Sequence, residues 1–366
     1  MAPFTYKALR YKNNTTPITY KETQFSDVEE SPSGFKVPEK KVLVKVHYAA
    51  LNPIDFLLKN AASAWIFRGE RGFASDYSGE VVAVGAEAAK KTGLKVGDRV
   101  NGLNQTPFGN GTAGQYTLVD PFAESGESIR KTPDSLPLDQ AASYPLVLGT
   151  AQTFFNEVNP KNPLKKVLVL GAGTSVGRYT VQVAKKAYNV GEVVVTCSGK
   201  SADLITSFGA DKIIDYTQHK SILQPVLESV KESGKFDAIF DCAGNADLFP
   251  EITNIVQNKA NFGFYGSIAG DSKLKYGSDS LLSLVVKNLN GGLRILGSRV
   301  GYYDYYYSLV KLNPGNKWAD KAIKYQSELQ FVNSIDSVTP VEDYQTALDK
   351  LASNHASGKV LIQFSD

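Results

Sequence analysis

The clearest hydrophobic pattern in the chain is Val167-Leu168-Val169-Leu170, four aliphatic residues that run without polar alternation into Gly171-Ala172-Gly173-Thr174-Ser175-Val176-Gly177. An unbroken run of this kind suits a parallel strand covered on both faces. After the turn, Val176, Tyr179, Thr180, Val183, Ala184 and Ala187 recur at helical spacing, which predicts a helix. Further apolar runs at 193–197, 212–216, 236–242, 261–267 and 294–300 predict strands, most of them separated by helical patterns such as 222–232. Strands alternating with helices in this way predict a doubly wound α/β domain, with ligands at the carboxyl ends of the strands.

The first 120 residues follow a different pattern. Short strands are expected at 4–9, 42–46, 79–85 and 114–119, with a Gly97-Asp98 turn between apolar positions. This is a β-rich, partly barrel-like domain. Residues 120–137 are polar and contain Pro121, Pro133 and Pro137, and so read as the crossing between domains. The apolar run at 360–364 reads as a last strand that returns to the first domain.

The turn carries the first candidate chemistry. A strand, a glycine turn and a helix bring free backbone amides and a helix dipole to one point, which suits a dinucleotide pyrophosphate. Gly171, Gly173 and Gly177 read GxGxxxG rather than GxGxxG, and a tight turn wants glycines with or without a ligand. After the second strand, where an NAD site places an acid, the chain reads Ser198-Gly199-Lys200-Ser201, with no carboxylate before Asp203. Hydroxyls and a lysine suit a 2′-phosphate, hence NADP(H) over NAD(H); a solvated surface lysine is the plainer reading of Lys200.

A length of 366 residues predicts two domains. A net charge of +3 is too small to argue for nucleic acid. No apolar run reaches the ~18 residues that mark a membrane span. Without a signal-peptide core at its start, the cytoplasm is the expected compartment, and peripheral attachment to a lipid surface stays open. The sequons at Asn13, Asn14 and Asn110 then carry little weight. Cys197 and Cys242 close the predicted second and fourth strands, roughly 9–10 Å apart across the first at ordinary strand spacing, beyond disulfide reach. Two free thiols suit a reducing compartment.

Blocks along nearly the whole chain carry a resemblance: AALNPIDF from Ala49, SDYSGEVVAVG from Ser75, VGDRVNG from Val96, PLVLGTAQT from Pro145, FGADKIIDY from Phe208, FDAIFDCAGN from Phe236 and SGKVLIQF from Ser357. In this order they resemble the medium-chain dehydrogenase/reductases, in the zinc-free, zeta-crystallin-like quinone oxidoreductase branch, and most of all its divergent fungal and chloroplast-envelope-type members. The resemblance implies a GroES-like catalytic domain at 1–135, completed by about 301–366, and a Rossmann domain at 136–300. It also implies NADPH as cofactor and a homodimer. Zinc-dependent relatives use a Cys and a His for the catalytic metal and often four clustered cysteines for a structural one. Here Asn52 stands in the catalytic-cysteine region, and His47, His219 and His355 are dispersed, so no metal site is expected.

What remains is hydride transfer to an acceptor already polarised by conjugation, a quinone or an α,β-unsaturated carbonyl. By resemblance, Asn52 lies near the nicotinamide and ribose as a positioning donor. Asp55, in the same motif, reads as fixing the loop rather than donating a proton, and Tyr48 and Tyr77 are candidate proton donors among the 19 tyrosines of the chain. The cofactor positions carried over are Asn52, Thr150, Gly171, Gly173, Thr174, Ser175, Val176, Gly177, Ser198, Lys200, Ser201, Tyr216, Asn245, Tyr265 and Gly266. One departure stands out. Most relatives carry two consecutive glycines where this chain has Thr174 and Ser175; a Cβ there narrows the approach of a pyrophosphate to the backbone, so binding is expected to survive but weaken, while the two hydroxyls could cap the helix or bond the phosphate.

The tyrosine run at 302–307 reads as an aromatic wall for a flat or lipid-like substrate, as a patch for a partner or membrane interface, or as an ordinary packed loop or helix. Two alternative functions stay open: an enoyl-thioester reductase with a basic patch at Lys59, Arg68 and Arg71, and a reductase-derived protein that binds NADPH or a partner with little turnover.

Overall fold

The computed structural model describes residues 3–32, 34–63, 69–106, 109–124, 126–312 and 317–364. The chain divides into two compact units, the first made of Met1–Leu146, Lys275–Leu281 and Asn313–Asp366 and the second of Val147–Leu274 and Leu282–Leu312.

The first unit is built on two sheets. Its larger sheet runs in the order Ile335–Pro340, Lys359–Gln363, Val42–Leu51, Asp76–Val84, Arg99–Asn104, Glu127–Lys131, with Tyr116–Val119 also paired to Val42–Leu51. The smaller one runs Gly34–Lys36, Thr19–Ser31, Pro3–Tyr11, Arg71–Gly72. Alternate residues of these strands meet inside: Leu9, Val44, Val81, Val100 and Val360 are fully buried in one cluster. Lys359–Gln363 lies antiparallel to Val42–Leu51, so the end of the chain does return to the first domain. Residues 120–137 correct the expectation of a plain crossing. They contain the strand Glu127–Lys131, held against Arg99–Asn104 because Ile129 is drawn into the core.

The second unit is a parallel six-stranded sheet in the order Lys212–Asp215, Glu192–Cys197, Lys166–Leu170, Ala238–Asp241, Phe264–Ser267, Tyr306–Leu309. The aliphatic run of Lys166–Leu170 is buried at every position, as its central place requires. The strands that lead to the buried thiols Cys197 and Cys242 are separated by Lys166–Leu170.

The sixth strand is a second correction. Residues 294–300 lie in the helix Leu289–Arg299, and the strand comes from the tyrosine run instead. The three-and-four spacing of Leu289, Leu293, Leu296 and Val300 is helical, whereas the tyrosines alternate, with Tyr305 and Tyr307 buried and Tyr306 exposed. Residues 301–312 accordingly belong to the second unit rather than to the completion of the first.

Candidate functional site

In the first unit, strand register assembles a buried polar cluster. Leu51 pairs with Val360 and Ala50 with Asp76, so Asn52, Lys359 and Asp76 meet where three neighbouring strands end or begin. The Lys359 ammonium donates to Asn52 Oδ1 at 2.5 Å and to Asp76 Oδ2 at 2.9 Å. Asn52 Nδ2 donates to the same Asp76 oxygen at 2.9 Å, and Asp76 Oδ1 takes the Leu146 amide at 2.9 Å. Beside it, Asp55 receives the Asn52 backbone amide at 2.8 Å, which caps the helix Pro53–Ala61, and the Ser75 hydroxyl at 2.5 Å. Burial raises the Asp55 carboxyl to about 7, against hydrogen bonds from Ser75 and Asn52 that favour its charged form.

Both functions of the Asn52 amide are therefore engaged, and the residue is fully buried. Tyr77 is equally buried, and its hydroxyl donates to the Ser128 carbonyl at 2.9 Å. Tyr48 differs. It is half-buried, and burial together with the Asp139 charge raises its pKa, so it stays protonated at neutral pH. Of the residues read as a basic patch, Arg71 is buried beside Tyr11, which removes it from any such surface. Lys59 donates to the Asn14 carbonyl, and Arg68 lies outside the described residues. Sequence reasoning passed over Asp76 and Lys359. Their signal was a charged residue at the first position of a strand.

In the second unit, the turn after Lys166–Leu170 is shaped as an anion cradle. Gly171 has φ +72°, and a Cβ there would stand 2.5 Å from that of Ala243; a Cβ on Gly177 would stand 2.3 Å from the Gly171 carbonyl. A Cβ on Gly173, in contrast, would meet nothing closer than the Ser201 hydroxyl at 3.4 Å. Thr174 caps the helix Ser175–Gln182, its hydroxyl accepting the Gly177 amide at 3.0 Å. The amides of Ser175 and Val176 then stand at the positive end of the helix without a partner among the described residues. These features fit a pyrophosphate, and the Thr174 side chain serves the helix rather than blocking it.

At the next strand end, Cys197 pairs with Asp215, which sets Tyr216 beside Ser198 in register. Lys200 is exposed, Ser198 and Ser201 are half-buried, and Tyr216 is 48% exposed. The Asp215 carboxylate, which sequence reasoning also passed over, is held below the usual range by hydrogen bonds from the Thr217 hydroxyl and amide. Thr150 lies buried in the helix Pro145–Glu157.

Asp241 closes its strand by accepting the amides of Ala243, Gly244 and Asn245 at 3.0, 2.9 and 3.1 Å, and burial lifts its carboxyl to about 6. Tyr265 is turned into the core, its ring stacked on Tyr307 at 5.5 Å, and Gly266 packs against Phe264 and Phe154. These two positions offer backbone rather than side-chain chemistry. Among the described residues, no three His, Cys, Asp or Glu side chains cluster so as to hold a metal ion, and no helix is long and apolar enough to cross a membrane.

Comparison with known proteins agrees with this division. Residues 38–124 match the alcohol dehydrogenase GroES-like domain, and residues 175–313 match the zinc-binding dehydrogenase domain. Protein YIM1-2 of Lachancea thermotolerans is 37% identical over 346 residues, covering 92% of this chain and 93% of that protein. The quinone oxidoreductase from Coxiella burnetii shares the fold with TM-score 0.72 at 21% identity, over 98% of this chain and 99% of its own. A mycobacterial protein solved in complex with NADPH does so with TM-score 0.69 at 18% identity, over 98% and 99%.

Proposed function

Because this chain belongs to the medium-chain dehydrogenase/reductase superfamily, whose members are oxidoreductases that bind nicotinamide cofactors, we propose that it reduces quinones or α,β-unsaturated carbonyls with NADPH and without a metal. The observation that carries the reading is the turn at Gly171–Gly177, with an intact cap and two amides left for an anion. NADPH, when bound, supplies the hydride. Ser175 and Val176 donate their amides to its pyrophosphate, and Gly173 allows close approach. Lys200, flanked by Ser198, Ser201 and Tyr216, holds the 2′-phosphate.

In the first unit, Tyr48 donates a hydrogen bond to the oxyanion that develops on the substrate and leads the proton to it. Asn52, Asp55 and Tyr77 act as positioning residues, since their polar atoms already have partners. Metal independence is supported by the donor set: two buried cysteines, no three-residue cluster of metal-binding side chains among the described residues, and an ammonium on the Asn52 oxygen.

The test follows NADPH fluorescence and oxidation by the purified chain with 9,10-phenanthrenequinone and then 2-hexenal. Saturable binding with acceptor-dependent oxidation is expected; no saturable binding at millimolar NADPH overturns the reading. Lys200→Ala with Tyr216→Phe should weaken NADPH on the order of tenfold and leave NADH unchanged, the loss of roughly one charge-assisted contact. A second reading, an NADPH-binding protein with little turnover, draws on the burial of Asn52 and Tyr77. Its signature is retained NADPH binding without oxidation across the acceptors.

A further inference from the structure

Counted in chain order from Lys166–Leu170, the strands of the second unit lie in the order three-two-one-four-five-six. A dinucleotide lies across the carboxyl ends of such a sheet, one half on each side of the first strand. With the pyrophosphate at 171–177 and the 2′-phosphate at Lys200, on the side of the second and third strands, the nicotinamide half falls to the ends of the fourth and fifth. Those strands are Ala238–Asp241 and Phe264–Ser267. The loop 268–271, which leaves the fifth strand, therefore borders the nicotinamide half.

This loop is held on both of its edges. On one, Ser267 Oγ accepts the Gly270 amide at 2.8 Å and donates to Asp241 Oδ2 at 3.1 Å. The other edge is taken by a side chain from outside the sheet. Asn288, the residue between the helices Leu281–Lys287 and Leu289–Arg299, is 6% exposed. Its Oδ1 accepts the Asp271 amide at 2.7 Å, and its Nδ2 donates to the Ala269 carbonyl at 3.0 Å. These two backbone groups flank Gly270, so the carboxamide pairs with the loop much as a neighbouring strand would. Nδ2 also donates to the Leu284 carbonyl at 2.7 Å, which fixes the side chain to its own helix pair.

Glycine is what lets the carboxamide in. Gly270 has φ +71°, and a Cβ there would stand 1.6 Å from Asn288 Oδ1. Arg294, stacked on Phe249 at 3.4 Å, pairs with the Asp271 carboxylate and anchors the end of the loop to the same helices. The half-buried Ile268 carbonyl has no partner among the described residues. An unpaired carbonyl suits the N–H donors of a nicotinamide carboxamide. The loop thus repeats the logic of the glycine turn, in which internal bonds fix the backbone and a leftover group faces the ligand.

Resting on the NADPH reading above, we propose that Asn288 is a positioning residue for the nicotinamide half of the cofactor. It sets the backbone of the loop 268–271 through its carboxamide and does not touch the ligand itself.

Calorimetric titration of the full chain with two ligands tests this: NADPH, and 2′-phospho-ADP-ribose, which has the same phosphates and adenosine but no nicotinamide. Asn288→Ala should weaken NADPH about tenfold, the order of one or two net hydrogen bonds, and leave 2′-phospho-ADP-ribose within about twofold of wild type. Gly270→Ala, which drives a methyl group into the place of the same carboxamide, should give the same split from the other side of the contact. Lys200→Ala with Tyr216→Phe should instead weaken both ligands alike. Retained binding of 2′-phospho-ADP-ribose shows that a variant is folded. The split in either Asn288→Ala or Gly270→Ala supports the role of Asn288; its absence from both, whether neither ligand or both are affected, overturns it. A wild-type chain that binds NADPH no more tightly than 2′-phospho-ADP-ribose also overturns it, while leaving the phosphate sites standing. A wild-type chain that binds neither ligand overturns the NADPH reading, and the role of Asn288 with it.

Discussion

The two units treat their buried polar groups in opposite ways. Around Asn52 the donors and acceptors close on one another: the Lys359 ammonium, the Asp76 carboxylate and the Asn52 amide form a triangle, and Asp55 takes up Ser75 and the Asn52 backbone. At the turn after Lys166–Leu170 the cap is complete, yet two amides at the helix start are left over. A group whose partners are all internal stabilises and positions, whereas a group left over at a pre-formed turn is available to a ligand. On this difference rests our proposal that the cluster in the first unit serves architecture and the turn in the second serves binding.

The largest effect is expected where that assignment to architecture is broken. Lys359→Met removes the cation from a buried pair with Asp76 and should cost about 3–5 kcal/mol in urea unfolding, the usual penalty for leaving a buried charge uncompensated. Adding Asp76→Asn removes the stranded charge while keeping an oxygen for the Leu146 amide, so the double variant should recover a large part of the loss. A single variant as stable as wild type would overturn the assignment of this pair to architecture.

The binding side is tested more finely by Ser175→Pro. Proline is tolerated at the first position of a helix, and Thr174, at φ −71° and ψ 159°, already has the conformation that precedes proline. The substitution deletes one free amide and little else. NADPH should bind about tenfold to a hundredfold more weakly, as for loss of a hydrogen bond to a charged group, with the unfolding midpoint unchanged. Unaltered affinity in fluorescence titration would sharpen the comparison the other way, by showing that the leftover amides do not meet the anion.

How much of this was legible follows from the same contrast. The glycine turn is local: its strand, glycines and helix lie within about twenty consecutive residues, so aliphatic runs and spacing were enough to place these elements. Asn52 was singled out, but its partners are set by strand register across the chain, and no periodicity links residue 52 to residues 76 and 359. Tyr77 illustrates the same limit. Its hydroxyl looked available in sequence and is closed off by Ser128, which arrives on a strand hidden within a proline-marked segment. The sixth strand was misplaced because 294–300 is apolar enough for either element, and only the exposed stripe shows which period governs it.

The smallest expected effect concerns pH and bears on the same closed cluster. Asp55 is pushed up to about 7, first by burial and further by the Asp76 charge, against hydrogen bonds from Ser75 and Asn52 and the attraction of Lys359. The unfolded chain releases this proton near the ordinary carboxyl value of 3.8, while the folded chain keeps it up to about 7. Across that window the folded state binds more protons than the unfolded one, so the contribution of Asp55 to stability is fullest below about 4 and falls as pH rises to 7. Asp55→Asn fixes the neutral form and keeps an oxygen for one of the two donors. It should flatten the thermal midpoint between pH 4 and 7 by a few degrees relative to wild type, with the two proteins closest at the acid end. Wild-type and variant midpoints that run parallel across the window would show that Asp55 is ionised throughout and that Lys359 neutralises both carboxylates of the cluster.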